Sequence, residues 1–298
     1  MRVAAIDLGT NTTRLLVADV EDGLVGDLHR ESRITRLGEG VEARGRLLPL
    51  PIARVRNVLS DYRRTAESLH AERTLLVATS AVRDADNGEA FLGEIEWSYG
   101  FVTQLLSGDE EAEMTRRGVD ELGARTLLVD IGGGSTELVL DDFHTSLALG
   151  SVRFTERYSE DTAASIEAAR ALLPDLDPDD AVGVAATITS LAALDLGLEE
   201  YDRKRVHGHV LTRERARTQL ERLAALPLEE RRRVPALDPE RAPVIVAGAA
   251  ILVAILEAYR LDAIRVSERD LLDGAALAAA ELPEPEEGAA PPGAYTCC

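Results

Sequence analysis

The chain reads as an α/β protein made of two duplicated halves, each organised around a mixed sheet. Two observations carry this reading. A short glycine-turn segment occurs twice without a gap, so that Asp7, Gly9 and Thr12 align with Asp130, Gly132 and Ser135. Around each copy, apolar runs separated by turns come first, and alternating helical and apolar segments follow. That is the order of an antiparallel meander continued by α/β units. At 298 residues there is room for two domains of ordinary size, each with its own core.

The elements follow in order. Residues 1–31 alternate apolar stretches with turns at Glu21-Asp22-Gly23, which predicts a three-stranded meander. Helical periodicity covers about 51–70 and a β-rich run covers 74–78. Helix, strand and helix are expected at about 87–97, 101–105 and 109–122. The second meander spans 126–149, followed by mostly helical chain with buried strands at 181–186 and 263–266. A small-residue helix is expected at 244–256, with Ala247-Gly248-Ala249-Ala250 as a tight packing face. The boundary falls near Gly123-Ala124-Arg125, so the expected domains are 1–124 and 125–282, with 283–298 a disordered Pro/Glu-rich tail.

Composition removes several classes of function. Hydrophobic content of 45% with 29% charged residues is globular and excludes wholesale disorder. With 53 acidic against 33 basic residues the net charge is −20, which argues against DNA or RNA as a partner because phosphate neutralisation needs a basic face. No apolar run reaches spanning length and the chain enters its first strand at once, so the expectation is a cytoplasmic protein with no membrane partner. The only cysteines, Cys297 and Cys298, close the tail, leaving the body without thiol chemistry. Lys204 is the only lysine, so no Gly-Lys-Ser/Thr phosphate loop exists, and any anion must be held by backbone N–H groups, arginines or metal.

The duplicated segment is where such chemistry is expected. Each copy is a strand delivering an aspartate to its end, then a turn of glycines and hydroxyls, then a return strand. Exposed N–H groups in such a turn suit an anion, so the two copies together would clamp a phosphate chain and a divalent metal between them. Gly132-Gly133-Gly134 is costly to order, and close backbone approach to a ligand is the usual compensation. Asp130 and Glu137 together make a hard oxygen pair suited to Mg²⁺ or Mn²⁺. In Ser107-Gly108-Asp109-Glu110-Glu111, capping-box spacing accounts for Glu110 and leaves Glu111 without a structural duty, which makes Glu111 the candidate general base. Arg83, in the loop after the 74–78 strand, either grips a phosphate oxygen or pairs with Asp84 or Asp86. His207-Gly208-His209 lacks a third ligand nearby, which argues against a metal site there.

Taken together, these segments resemble the exopolyphosphatase and guanosine pentaphosphate phosphatase (Ppx/GppA) family, within the actin, sugar kinase and heat-shock chaperone ATPase superfamily. The resemblance is an ordered series covering nearly all of residues 3–281. It runs through Ala5 to Thr12, Ala78 to Arg83 with Asn87, Ser107 to Ala112, Asp130 to Glu137, Leu149 to Glu156, Val206-His207-Gly208, Arg241 with Gly248-Ala249-Ala250, and Val266-Ser267-Glu268.

The resemblance implies two actin-like (ribonuclease H-like) domains flanking a central cleft, and Mg²⁺-dependent release of terminal orthophosphate from polyphosphate, with pppGpp as a further substrate. It implies Glu111 as the glutamate that activates water and Asp130 and Glu137 as metal-associated positions. It further implies Asp7, Gly9, Thr10, Asn11, Thr12 and Gly132, Gly133, Gly134, Ser135 as phosphate loops, with Arg14 and Arg83 near the anion. A homodimer is the expected assembly. The alternatives within reach of the same residues are an ATPase or kinase, or a non-catalytic polyphosphate or (p)ppGpp-binding regulator. Two departures stand out. Ala185-Ala186 replaces the family's glycine before Thr187-Ile188-Thr189, and the chain lacks the C-terminal helical region of longer members, which argues against processive action on long chains.

Overall fold

The computed structural model describes residues 1–119 and 122–283, so the expected tail with Cys297 and Cys298 lies outside the described residues. Contacts divide the chain into two compact units, one holding residues 1–118 and the last helix, the other holding 119–270.

In the first unit the meander is β1 (Arg2–Leu8), β2 (Thr12–Glu21) and β3 (Leu24–Ile34). A short turn of helix, α1 (Val41–Arg44), leads to α2 (Pro49–Ser68), which starts on a proline where no N–H is needed. The buried face of α2 is Pro51, Val55, Leu59, Tyr62 and Ala66, spaced three or four apart, and Tyr62 donates its hydroxyl to the Thr13 carbonyl at 2.9 Å. Then come β4 (Arg73–Ala78), α3 (Ser80–Arg83), α4 (Gly88–Tyr99), β5 (Val102–Leu105) and α5 (Gly108–Gly118). Gly100 closes α4 at φ 70°, the left-handed stop that glycine supplies without strain. The sheet order is β3-β2-β1-β4-β5, antiparallel across β1–β3 and parallel from β1 to β4 to β5.

The second unit repeats the plan. Its meander is β6 (Thr126–Ile131), β7 (Thr136–Leu140) and β8 (Phe143–Leu147), followed by α6 (Ser151–Tyr158), α7 (Thr162–Leu172), β9 (Asp180–Val184) and α8 (Ala185–Asp195). After α9 (Arg203–Val206) come β10 (Val210–Thr212), α10 (Arg213–Ala225), α11 (Leu228–Arg231), α12 (Ile245–Ala258) and β11 (Ala263–Val266). The order is β10-β11-β9-β6-β7-β8, so β8-β7-β6-β9-β11 matches the first sheet strand for strand. This duplicated order is that of the actin-like, ribonuclease H-like fold. The core of this unit surrounds α12, which is buried on every face from Ile245 to Leu256, and Arg231 is fully buried beside it. Arg231 satisfies its guanidinium on the carbonyls of Leu223, Leu226 and Ala242 and on Glu160.

Three local differences from the sequence expectation have physical reasons. The strand expected over 181–186 ends at Val184 because the chain turns into α8 there. β10 is a three-residue edge strand, too short to leave a periodic signal. The last helix, α13 (Leu271–Glu281), packs on β1, β2, β4 and α5, so it belongs with the first unit, whereas the sequence expectation assigned 125–282 to the second. Leu271, Leu272, Ala275, Ala276 and Ala279 share one apolar cluster with Val3, Ala5, Leu16 and Val77, and Arg30 of β3 donates to buried Asp273 at 2.8 Å.

Gly274 makes this docking possible, because a Cβ there would lie 1.9 Å from the Met114 carbonyl oxygen of α5. Gly274→Ala should therefore lower stability by about 1–3 kcal/mol through overpacking. Gly93→Ala, with nothing within 4 Å of the added carbon, should leave stability unchanged or raise it. Urea midpoints at constant m-value compare the two, and equal midpoints would contradict the packing account.

Candidate active site

The two glycine turns agree down to individual hydrogen bonds. Gly9 N–H donates to the Thr12 carbonyl at 3.1 Å, and Gly132 N–H donates to the Ser135 carbonyl at 3.0 Å. A Cβ on either glycine would crowd that acceptor, at 3.0 Å from Thr12 O and 3.1 Å from Ser135 O. Both turns are also gripped from behind by their carbonyls. In the first, Thr35 and Arg36 N–H donate to the Asn11 carbonyl at 3.0 and 2.9 Å, and Gly38 N–H donates to the Thr10 carbonyl at 2.8 Å. In the second, the first turn of α6 does the same work. Ser151 N–H donates to Gly132 O at 3.0 Å, Val152 N–H to Gly133 O at 2.8 Å, and Arg153 Nε to Gly134 O at 2.8 Å.

With the carbonyls engaged, the N–H groups of each turn are left to other partners. Among the described residues, the N–H groups of Thr10 and Asn11 in the first turn, and of Gly133, Gly134 and Ser135 in the second, make no hydrogen bond within the protein. Asn11 adds a buried Nδ2 donor with no acceptor. Successive donors of this kind form an anion-binding concavity, and a buried unsatisfied donor is the type of group that a ligand completes.

Two glycines outside the repeated segment matter as much as those within it. A Cβ on Gly38 would lie 2.3 Å from Thr10 Cγ2, and one on Gly150 would lie 2.3 Å from Gly133 O. Sequence reasoning gave neither a role. The available signal was a glycine just ahead of a Ser-x-Arg helix start at Gly150-Ser151-Val152-Arg153.

The carboxylates differ between the halves in an instructive way. Asp7 and Arg14 are cross-strand partners, and Arg14 Nε donates to Asp7 Oδ2 at 2.7 Å. The equivalent pair in the second unit is Asp130 and Glu137, exposed by only 7% and 2%. Where the first half places an arginine opposite its aspartate, the second places another carboxylate. Ser146 donates its hydroxyl to Glu137 Oε1 at 2.7 Å. Two buried carboxylates on adjacent strands are favoured by a cation, and their oxygens are of the type that Mg²⁺ or Mn²⁺ accepts. Among the described residues no group of three or more His, Cys, Asp or Glu side chains forms a closed cage, so a bound Mg²⁺ would keep water or substrate oxygens in its shell.

Glu110 and Glu111 separate as their spacing suggests. Glu110 accepts from Ser107 N–H at 2.8 Å while its own N–H donates to Ser107 Oγ at 3.2 Å, and the bond from the Ser107 N–H holds its carboxyl below the usual range. Glu111 is instead turned inward and 6% exposed, with its Oε2 accepting from Arg83 Nη1 at 3.0 Å. Arg14 and Arg83, both expected near an anion, are thus each bonded to a carboxylate of the first unit. Asn87 serves as a tether, with its amide exchanging two hydrogen bonds with the Leu47 backbone.

His207 and His209 diverge. His207 Nδ1 accepts from Glu268 N–H at 3.2 Å, while His209 Nε2 lies 2.9 Å from Asp195 Oδ2. Glu268 itself is riveted by the Tyr201 hydroxyl and by Arg203, and burial raises its carboxyl above the ordinary value. Ala185 adopts φ 63°, a left-handed conformation that costs an alanine about 1–2 kcal/mol and costs a glycine nothing.

The Ppx/GppA phosphatase family matches residues 16–281. The chain belongs to this family. Exopolyphosphatase 2 of Mycobacterium tuberculosis is 40% identical over 94% of this chain and 98% of its own length. Guanosine-5'-triphosphate,3'-diphosphate pyrophosphatase of Vibrio vulnificus is 32% identical over 92% of this chain, which spans 58% of that protein. Among solved structures, the Aquifex aeolicus Ppx/GppA enzyme superposes with a TM-score of 0.78 at 33% identity, covering 93% of this chain and 99% of that one. No helix among the described residues is long and apolar enough to cross a membrane.

The packing of Gly150 on the second turn yields a direct expectation. Gly150→Ala should push Gly133 and Gly134 out of register and weaken tripolyphosphate binding at least tenfold by calorimetry. Wild-type affinity in a folded Gly150→Ala protein would show that the turn's shape is irrelevant to anion binding.

Proposed function

We propose that this protein is an exopolyphosphatase-type phosphohydrolase that releases terminal orthophosphate from inorganic polyphosphate. The observation that carries the proposal is the pair of glycine turns, each with its carbonyls engaged from behind and its N–H groups available, in a chain that belongs to a phosphatase family. Each turn would by itself offer its N–H groups to phosphate oxygens, Thr10 and Asn11 in the first unit and Gly133, Gly134 and Ser135 in the second. Phosphoryl transfer needs mainly positioning and charge neutralisation, and preorganised backbone dipoles supply both without reorganising as charge moves.

Glu111 is the general base of this proposal. Its carboxylate takes a proton from water, the resulting oxygen bonds to the terminal phosphorus, and the bond from that phosphorus to the bridging oxygen breaks. The bridging oxygen leaves with the shortened chain, which carries the displaced electron pair. Mg²⁺ or Mn²⁺ held by Asp130 and Glu137 would neutralise charge on the phosphates. Turn contacts made in the ground state bind the chain, whereas Glu111 acts only as water is deprotonated, so the two should separate in KM and kcat.

A second reading is supported by the 32% identity with the Vibrio vulnificus protein: pppGpp is hydrolysed by the same groups. Polyphosphate is preferred here because the 40% identical relative is named for it and is matched over 98% of its length. A homodimer in the cytoplasm is the setting we propose for this activity.

The test is phosphate release on tripolyphosphate, pppGpp and ATP with saturating Mg²⁺. Tripolyphosphate should show the highest kcat/KM and ATP the lowest. Glu111→Gln should lower kcat by about 10²–10⁴ with KM nearly unchanged. Loss of activity in Glu110→Gln with Glu111→Gln still active would reverse the assignment, and pppGpp as the best substrate would favour the second reading.

A further inference from the structure

Arg83 lies on the short helix after β4, and its guanidinium is directed into the fold. Its Nη1 donates to the Leu106 carbonyl at 2.7 Å and to Glu111 Oε2 at 3.0 Å. The first of these acceptors is fixed. Leu106 is fully buried, and its own N–H is bonded to the Ala78 carbonyl at 2.9 Å, so the arginine hangs from the end of the parallel pair β4 and β5. The second acceptor is held from its other side by its helix, with Glu111 N–H bonded to Ser107 O at 2.9 Å and Thr115 Oγ1 bonded to Glu111 O at 2.9 Å. Both ends of the contact are therefore set by backbone, and the contact fixes where the Glu111 carboxylate points.

A base that accepts a proton from water must be ionised and aimed before the reaction. Burial opposes the first requirement, because a carboxylate removed from water favours its neutral form. A guanidinium at hydrogen-bond distance opposes that shift and, as a planar donor, also sets orientation. We propose that Arg83 is a positioning residue for Glu111, keeping its carboxylate charged and aimed, and that it is not a ligand of the substrate phosphate. The proposal rests on the reading of Glu111 as the general base.

Several other charged groups on the packed elements are paired elsewhere. On α5 itself Glu110 is turned back to Ser107, and Glu113 pairs with Arg116. On α3 the neighbouring Asp84 accepts from the Ser80 hydroxyl. On α13, which packs against α5, Asp273 is bonded to Arg30 and Glu281 to Arg117. Asp109 precedes Glu110 at the start of α5. Arg83 contacts the Glu111 carboxylate directly, so its removal is a change that the titration of Glu111 should feel.

The experiment compares wild type, Arg83→Gln, Arg83→Lys and Glu111→Gln on tripolyphosphate at saturating Mg²⁺ across pH. In Arg83→Gln the acidic limb of kcat/KM should move upward by about one pH unit or more. Its kcat should fall by about tenfold to a hundredfold, while KM stays within about threefold of wild type. Arg83→Lys retains the charge and should restore the limb while recovering only part of kcat. A tenfold rise in KM with the limb unmoved, in either variant, would make Arg83 a phosphate ligand and overturn the proposal.

A second readout does not depend on turnover. With ¹³Cδ-labelled glutamate, the resonance missing from Glu111→Gln identifies Glu111, and its titration midpoint should rise in Arg83→Gln. An unmoved midpoint overturns the proposal even if activity is lost. Full turnover of Glu111→Gln would refute the base reading alone, while the carbon titration still reports whether Arg83 governs this carboxylate.

Discussion

Both glycine turns depend on one constraint: their carbonyl oxygens are consumed by neighbouring backbone. Thr35, Arg36 and Gly38 take them in the first unit, and Ser151, Val152 and Arg153 take them in the second. A peptide whose oxygen is fixed on one side presents its N–H on the other, so the surface that each turn offers a ligand is set by bonds made behind it. Gly38 and Gly150 permit those bonds by letting backbone approach where a methyl group would collide. On the proposed function, the preorganisation on which phosphoryl chemistry relies would be a property of main-chain packing, which suits a chain with Lys204 as its only lysine.

The two turns are equivalent in place, and one of the positions at which they differ changes the charge beside the aspartate. Arg14 and Glu137 occupy corresponding sites, each across from the aspartate of its own half. An arginine there pairs with Asp7 through its Oδ2. A glutamate there doubles the negative charge beside Asp130, and the second half becomes the one that favours a cation. On the proposed reading, this one difference leaves the first turn with its aspartate's charge balanced and gives the second a carboxylate pair suited to a cation.

Much of this was legible in the sequence, and what escaped has a physical reason. The duplicated Asp-Gly segment was readable because its constraint is local: the strand, the turn and the return strand are contiguous in the chain. Glu110 and Glu111 could be separated because capping geometry depends only on spacing within one helical turn. The partners of Arg14 and Arg83 were harder to assign. Asp7 becomes a neighbour of Arg14 only through antiparallel register, and Glu111 meets Arg83 only through a parallel crossover. Gly38 carried no local signal because the group it approaches lies in a separate turn, and Gly150 carried only its place ahead of a Ser-x-Arg helix start. The placement of α13 on the first sheet was unreadable for the same reason: Val3, Ala5, Leu16, Val77 and Met114, against which it packs, lie far away in the chain.

The most direct test of the account is amide NMR on deuterated, ¹⁵N-labelled Glu111→Gln protein titrated with tripolyphosphate and Mg²⁺. Turnover is suppressed in that variant while the turns are untouched. The account requires saturable shifts, largest at the amides of Thr10, Asn11, Gly133, Gly134 and Ser135, as their N–H groups gain phosphate acceptors. Saturable binding that leaves those five amides in place would contradict it.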